Sequence, residues 1–114
     1  GRTDDMLIIR GVNLFPTQIE ELILRVPQLT AQYQLIVSRE DHLDCLEVRV
    51  EVRPEAWQQV SAEDLPNVAL ELQHHIKSYI GVTAIVTPVA PQAIERTVGK
   101  ARRVLDRRTP AGRP

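Results

Sequence analysis

The sequence predicts an α+β fold, a two-layer sandwich in which a small mixed three-stranded sheet carries two main helices on one face. Two segments have the apolar spacing of amphipathic helices, and another alternates apolar and charged residues as a strand does. An N-terminal β-hairpin precedes the sandwich, and a basic tail follows it. The length of 114 residues, with 43% hydrophobic and 25% charged residues, fits one globular domain.

The first elements predicted are the two arms of the hairpin. Met6 to Arg10 is a short apolar strand, and Val12 to Phe15 is the returning arm. Gly11 lies between them, where glycine permits the positive φ that tight hairpin turns require. The hairpin loop is therefore placed at residues 6–16, ahead of the first helix.

Two helices are predicted from apolar stripes with helical spacing. The first opens beside Thr17, which forms a capping-box pattern with Glu20, and it ends at Pro27. The second runs from about Asp64 to Ile80, with Asp64 as its candidate N-cap, and Gly81 closes it. The apolar stripes consist of Ile19, Leu22, Ile23 and Val26 in the first helix and of Leu65, Val68, Ala69, Leu72, Ile76, Tyr79 and Ile80 in the second.

Three strands are predicted to form the sheet. Tyr33 to Ser38 is the first, and Arg39 to Leu43 is a polar turn. The second strand has one buried face and one face in water, because apolar residues alternate with charged ones that include Glu51. Thr83 to Thr87 is the third strand, after which Pro88 and Pro91 end the compact part. The alternating strand consists of Leu46, Val48, Val50 and Val52 on one face and Glu47, Arg49, Glu51 and Arg53 on the other.

Charge is distributed unevenly along the chain. The net charge is −1, but residues 1–94 hold 7 basic and 13 acidic side chains, whereas residues 95–114 hold 7 basic and 2 acidic ones. A basic segment on an acidic body predicts an anionic partner for that segment.

The residue inventory excludes several chemistries. The single cysteine, Cys45, cannot form an internal disulfide, which fits a reducing compartment, and we expect it to be a small half-buried hydrophobe. His74 and His75 are adjacent, so they point about 100° apart on a helix and cannot share a metal ion; no metal site is predicted. The pair Gly99-Lys100 lacks the flanking residues of a phosphate loop. No apolar run is long enough to span a bilayer.

Two segments remain as candidates for function. In the hairpin, Gly11 is flanked by Arg10 and Asn13, a pattern that suits simple turn chemistry and also lets a thin ligand approach the backbone closely. In the tail, the segment from Arg96 to Val104 places a glycine before Lys100, which fits either a fraying end or a site for phosphate or nucleic acid. No aromatic residue lies among these charges, so base stacking is not indicated.

Both segments resemble one known family. Residues 1–16 resemble the hinge and the following loop of phenylacetate–CoA ligases. The resemblance lies in two runs separated by a short apolar stretch, Gly1-Arg2-Thr3-Asp4-Asp5 and Arg10-Gly11-Val12-Asn13-Leu14-Phe15-Pro16. These ligases belong to the superfamily of acyl-adenylate-forming enzymes. The tail Arg96-Thr97-Val98-Gly99-Lys100-Ala101-Arg102-Arg103-Val104 is similar to the closing Gly-Lys-Ala motif of the same branch. The resemblance covers residues 1 to about 108.

The resemblance implies that this chain is the small C-terminal lid domain of a longer ligase, and the absence of an initiator methionine agrees with that interpretation. Residues 1–108 would be the lid, with a hinge at 1–5, the hairpin loop at 6–16 and a catalytic-lysine tail at 94–108. Residues 109–114 are expected to be a disordered tail. The partner would be the N-terminal adenylate-binding domain of the same polypeptide.

The family reaction that this resemblance implies has two steps. An aryl acid, which the lid leaves open as phenylacetate, a substituted arylacetate or another aryl acid, attacks the α-phosphate of ATP to give acyl-AMP and pyrophosphate, and the CoA thiol then displaces AMP. Lys100, supported by Gly99, matches the lysine of the first step. Asp4 matches the hinge, with the neighbouring Asp5 as the alternative. The loop of the thioester step is matched by Arg10, Gly11, Val12 and Asn13. Gly11 would leave room in this loop for the pantetheine arm of CoA.

Partners and cofactors follow from the same resemblance. ATP with Mg²⁺ and CoA are expected as substrates of the full-length enzyme, and the isolated domain is expected to bind no cofactor and to be inactive. Neither nucleic acid nor a membrane is expected as a partner, and a cytoplasmic role in phenylacetate catabolism is expected. The alternative is a stand-alone α+β module whose basic tail binds nucleic acid or another anionic partner. The predicted exposure of Glu47 and Glu51 argues against that alternative.

Overall fold

The computed structural model describes residues 6–59, 63–94 and 104–107 of the chain. Its elements are β1 (Leu7–Ile9), β2 (Val12–Leu14), α1 (Pro16–Ile23), β3 (Leu29–Glu40), β4 (Leu43–Val52), α2 (Pro54–Gln59), α3 (Leu65–Tyr79), β5 (Ile85–Val89) and β6 (Val104–Asp106). An N-terminal hairpin, a mixed sheet and helices are all present, so the predicted α+β class is confirmed.

The central sheet has four strands in the order β5-β4-β3-β6, so the predicted number of three is wrong. β3 and β4 form an antiparallel hairpin, and the two turn residues Asp41 and His42 both have positive φ. β5 pairs in parallel with β4, and β6 pairs in parallel with β3. The additional strand, Val104–Asp106, lies within the segment that the sequence predicts to be a basic tail. Three residues are too few for strand periodicity to reveal it.

One hydrophobic core joins the hairpin, the sheet and the two main helices. Alternate residues of β3 and β4 face this core, as the two-residue period of a strand requires. Tyr33, on the core face of β3, donates its hydroxyl hydrogen to the Pro16 carbonyl at 3.2 Å and so ties the start of α1 to the sheet. The fully buried side chains include Ile19, Ile23, Leu35, Val37, Val48, Val50, Leu72 and Ile76.

The start of α1 differs from its prediction. The helix begins at Pro16, so Phe15 occupies the N-cap position and Gln18 is the third helical residue. The Gln18 Oε1 accepts the Phe15 N–H at 2.8 Å, and the Gln18 N–H donates to the Phe15 carbonyl at 2.9 Å. The predicted Thr17–Glu20 capping box is therefore wrong, because the proline occupies the first helical position and the N-cap lies at Phe15, two residues before Thr17.

The second main helix, α3, lies within one residue of its predicted bounds. Asp64 stands at the N-cap, but its side chain makes no capping hydrogen bond. Gly81 follows the C-terminus with a φ of +98° and donates its N–H to the Ile76 carbonyl, as a terminating glycine does. The short α2 has no counterpart in the sequence prediction because none of its side chains is buried. Within the described ranges, no helix has the length and apolar composition needed to cross a membrane.

All three predicted strands of the central sheet differ from the observed ones at their ends. β4 begins at Leu43, three residues before the predicted Leu46, and so includes Asp44 and Cys45. β3 is 12 residues long and extends beyond Tyr33–Ser38 on both sides, with a register shift between Leu29 and Tyr33. β5 lies two residues later than predicted and includes Pro88, which was expected to end the compact part. A proline is tolerated there because β5 lies at the edge of the sheet.

Candidate functional site

The β1–β2 hairpin carries the four residues that are predicted to form the loop of the thioester step. Its register pairs Ile9 with Val12 and Ile8 with Asn13, which leaves Arg10 and Gly11 as a two-residue turn. Their φ angles of 52° and 79° match a type I′ turn. The predicted hairpin with Gly11 at its turn is confirmed, and the backbone conformation explains why glycine suits position 11.

The four loop residues differ in their exposure. Arg10, Gly11 and Asn13 are exposed, whereas Val12 is half-buried and packs against the core. Ile9, directly before the turn, is fully buried. Three of the four matched residues are therefore accessible to a ligand, and Val12 anchors the hairpin to the domain.

The space beside Gly11 is open. A Cβ placed at this glycine meets no heavy atom of the described residues within 4 Å. A Cβ here is therefore opposed by the positive φ and not by a clash with the described residues. A thin ligand can reach the turn backbone from this side.

Asp44, at the start of β4, binds the turn to the body of the domain. Its Oδ2 accepts the Arg10 backbone N–H at 3.0 Å, and its backbone carbonyl accepts a hydrogen bond from Arg10 Nε at 2.8 Å. Its Oδ1 accepts a hydrogen bond from Arg39 Nε at 3.1 Å. Sequence analysis missed Asp44 because it lies 34 residues from Arg10, and no local pattern predicts so distant a contact.

A second carboxylate on β4, that of Glu51, binds the chain that follows β5. Its Oε1 accepts the Gln92 N–H and its Oε2 accepts the Ile94 N–H, both at 3.0 Å. Gln92 has a positive φ of 72°, and the Ala93 N–H donates to the Ala90 carbonyl, so this chain turns tightly beside Glu51. The predicted exposure of Glu51 is wrong, because this turn covers it and leaves the residue only 2% exposed.

Several predicted site residues lie outside the described residues, namely Asp4, its alternative Asp5, Gly99 and Lys100. Directly before residues 95–103, Glu51 binds the backbone of Gln92 and Ile94. After them, β6 pairs with β3, and the Arg107 N–H donates to the Val37 carbonyl at 2.6 Å. The predicted lysine segment is therefore bounded by ordered contacts on both sides.

Other reactive groups were also placed by the structure. Cys45 is a free, half-buried thiol whose Sγ lies 3.9 Å from the Leu43 carbonyl oxygen, in agreement with its predicted packing role. The ring centroids of His74 and His75 are 6.5 Å apart. In the described part of the chain, no group of three or more His, Cys, Asp or Glu side chains is placed to hold a metal ion.

The fold and the hairpin are those of a C-terminal domain from an AMP-binding enzyme. The family model described as AMP-binding enzyme C-terminal domain matches residues 11–108, and the chain belongs to this family. The chain is 58% identical over 109 residues to the phenylacetate–coenzyme A ligase of Aromatoleum evansii, a match that covers 95% of this chain and 25% of that protein. It thus spans about a quarter of the length of the curated relatives that it matches.

Solved structures agree with this assignment. A domain of phenylacetate–coenzyme A ligase from Bacteroides vulgatus has a TM-score of 0.80 at 30% identity, and the match covers 94% of this chain and 96% of that one. A 2-hydroxyisobutyryl-CoA ligase in complex with 2-HIB-AMP and CoA has a TM-score of 0.82 at 37% identity, with coverage of 95% and 22%. The predicted family is confirmed, and the alternative of a nucleic-acid-binding module is not supported.

Proposed function

We propose that this domain is the mobile C-terminal part of an ATP-dependent aryl-acid–CoA ligase whose acid is phenylacetate. The full polypeptide converts the acid, ATP and CoA into acyl-CoA, AMP and pyrophosphate, with acyl-AMP as the intermediate. One observation carries the proposal: an exposed Arg10–Gly11 turn, bound to the body by Asp44, on a domain 58% identical to part of a phenylacetate–CoA ligase. The N-terminal domain of the same polypeptide holds ATP and the acid.

Lys100 is the catalytic residue proposed for the first step. A carboxylate oxygen of the acid attacks the α-phosphorus of ATP, and pyrophosphate leaves. The Lys100 ammonium group bridges the carboxylate and the α-phosphate and offsets the negative charge that develops at phosphorus. Gly99 gives the backbone next to this lysine its freedom. Mg²⁺ belongs to this step as the ion that accompanies the ATP substrate.

The hairpin turn is the proposed contribution to the second step. The CoA thiol attacks the acyl carbon, the bond to the AMP oxygen breaks, and AMP leaves. Gly11 leaves room for the pantetheine arm, and Arg10 and Asn13 offer polar groups beside it. Support comes from the similar 2-hydroxyisobutyryl-CoA ligase, which has been solved with 2-HIB-AMP and CoA in its thioesterification state.

A hinge at Asp4, or at the adjacent Asp5, is proposed to let the domain turn between the two steps. A few backbone dihedrals at such a position can absorb a large domain rotation. The first step would then use the segment that contains Lys100, and the second would use the hairpin turn.

A panel of carboxylic acids tests the proposed function in the full-length polypeptide. With ATP and CoA, phenylacetate should give acyl-CoA together with equal amounts of AMP and pyrophosphate, and residues 1–114 alone should give none. A clear preference for benzoate or another acid would overturn the phenylacetate assignment. Absence of acid-dependent pyrophosphate release with every acid would overturn the ligase assignment itself.

A further inference from the structure

Arg10 adopts a backbone conformation that is unfavourable for a residue with a side chain. Its φ of 52° lies in the left-handed region, which glycine enters freely and other residues do not. Type I′ turns prefer Asn, Asp or Gly at this first turn position, and here an arginine occupies it. Contacts from outside the turn must therefore stabilise Arg10.

Asp44 supplies those contacts from a different part of the chain. The bond from the Arg10 N–H to the Asp44 carboxylate is charge-assisted, and such bonds are stronger than neutral ones. The Arg10 side chain returns a second bond to the Asp44 carbonyl, so backbone and side chain are both held. The Arg39 guanidinium bonds the other carboxylate oxygen and orients the group. The Asp44 side chain is only 14% exposed, which limits competition from water.

We propose that Asp44 is a positioning residue for the thioester step, an inference that rests on the proposed function. Asp44 acts through Arg10 and has no contact with CoA or acyl-AMP in this mechanism. By fixing the turn, it keeps the open side of Gly11 in one place relative to the sheet. If the Arg10–Gly11 turn moved, the open side of Gly11 would be correctly placed for the CoA thiol for only part of the time. Misplacement of this kind lowers the rate of the thioester step.

Separate assays of the two half-reactions in the full-length ligase test this role. Asp44→Ala should lower acyl-CoA formation from preformed acyl-AMP about tenfold, the rate ratio expected for one lost charge-assisted hydrogen bond. Formation of acyl-AMP from acid and ATP should stay at the wild-type level. Asp44→Asn keeps an oxygen that can accept the Arg10 N–H, so it should retain more of the thioester activity.

The matched control for Asp44 is Asp41→Asn. Asp41 lies in the same β3–β4 hairpin, is exposed and has a positive φ that asparagine tolerates, so this variant should leave both half-reactions unchanged. Equal loss of both half-reactions in Asp44→Ala, or loss of thermal stability without any change in rate, would overturn the positioning role. A wild-type enzyme that makes no acyl-CoA would instead overturn the proposed function.

A second inference rests on the burial of Glu51. A carboxylate that is 2% exposed is unfavourable unless hydrogen-bond donors satisfy it. The Gln92 and Ile94 N–H groups are among its donors. The Ile94 side chain is buried as well, with 6% exposed, and this residue precedes Lys100 by six positions.

We infer that Glu51 is a positioning residue for the first step, again on the basis of the proposed function. It sets the point at which the chain enters the segment that contains Lys100. Because the two N–H groups that it accepts lie on either side of Ala93, the carboxylate fixes backbone direction there as well as position.

Glu51→Gln tests this inference. The amide replaces one acceptor oxygen with a donor, so one of the two backbone N–H groups loses its partner. Acyl-AMP formation should fall about tenfold, while thioester formation from preformed acyl-AMP stays at the wild-type level. The matched control is Glu47→Gln on the same face of β4, where the carboxylate accepts the Thr87 hydroxyl at 2.8 Å and not a backbone group.

Failure of the Glu51 inference can be told apart from failure of the proposed function. Lys100→Ala, assayed in the same way, reports on the proposed function. If Lys100→Ala abolishes acyl-AMP formation while Glu51→Gln changes neither half-reaction, or lowers both equally, the role of Glu51 is overturned and the proposed function stands.

Discussion

Two carboxylates on one strand hold two different parts of this domain. Asp44, near the start of β4, binds the exposed Arg10–Gly11 turn and forms an ion pair with Arg39. Glu51, near the end of β4, is buried and accepts the backbone N–H groups of Gln92 and Ile94, which cover it. Their settings differ accordingly, with 14% of the Asp44 side chain and 2% of Glu51 exposed. A single rigid strand can thus position a surface loop and a buried chain segment independently.

This difference matters because the two segments are proposed to serve different half-reactions. The turn held by Asp44 is assigned to thioester formation, and the chain held by Glu51 leads towards Lys100, which is assigned to acyl-AMP formation. Variants in the two regions should therefore separate the half-reactions. The effects on catalysis should decrease from Lys100 to Gly11 and then to β6.

The largest effect is expected for Lys100→Ala. This variant lacks the ammonium group that is proposed to stabilise the developing negative charge at phosphorus, so acyl-AMP formation should fall about a hundredfold or more. Acyl-CoA formation from preformed acyl-AMP should persist. The control is Lys77→Ala, because Lys77 is the other lysine of the chain and is exposed on α3. This control variant should carry out both half-reactions at wild-type rates. Equal loss of both half-reactions in Lys100→Ala would contradict its assignment to one step.

The next effect is expected at Gly11, with Gly81 as a matched glycine. Both have positive φ, and a Cβ at either meets no heavy atom of the described residues within 4 Å. Alanine at either position should lower the free energy of unfolding by about 1–2 kcal/mol because of the left-handed backbone.

Side-chain size should matter at Gly11 alone. Gly11→Leu should lower thioester formation severalfold further than Gly11→Ala, since the pantetheine arm is proposed to pass there, whereas Gly81→Leu should resemble Gly81→Ala. Denaturant unfolding and the two half-reaction assays check both pairs of variants. Thioester rates that do not depend on size at position 11 would argue against the proposed passage.

The smallest effect on catalysis is expected at β6. Val104 is half-buried, packs against the core and pairs with Leu35, so Val104→Asp should lower the free energy of unfolding by about 1–3 kcal/mol. Acyl-AMP formation should fall modestly, because the chain after Lys100 loses its attachment to β3. Arg107→Ala keeps the backbone bond to Val37 and should leave stability unchanged. An unaltered urea midpoint for Val104→Asp would contradict the packing of β6.

The parts of the fold that sequence could predict are those determined by neighbouring residues. Gly11 between two apolar runs predicts the hairpin, and the stripe that ends at Gly81 predicts α3 within one residue at each end. The start of α1 was misplaced because Thr17 and Glu20 fit a capping box, while Pro16 and Gln18 form the actual helix start.

The parts that sequence could not predict depend on contacts between distant segments. Alternation along β4 places Glu51 opposite the core, but it cannot show that the chain near Ile94 covers that position. Asp44 has no motif of its own, and its importance arises only because it meets Arg10 across 34 residues. For the candidate site, local patterns indicate a turn at Gly11 and a basic segment around Lys100, while the roles predicted for both residues come from the family resemblance alone.

The most direct test of the central claim, that separate segments of one domain serve the two half-reactions, compares Lys100→Ala with Gly11→Leu in the full-length polypeptide. Each variant is assayed for acyl-AMP formation and for conversion of preformed acyl-AMP and CoA into thioester. Lys100→Ala should lose the first activity and keep the second, and Gly11→Leu should keep the first and lose most of the second. Equal loss of both activities in each variant would contradict the claim.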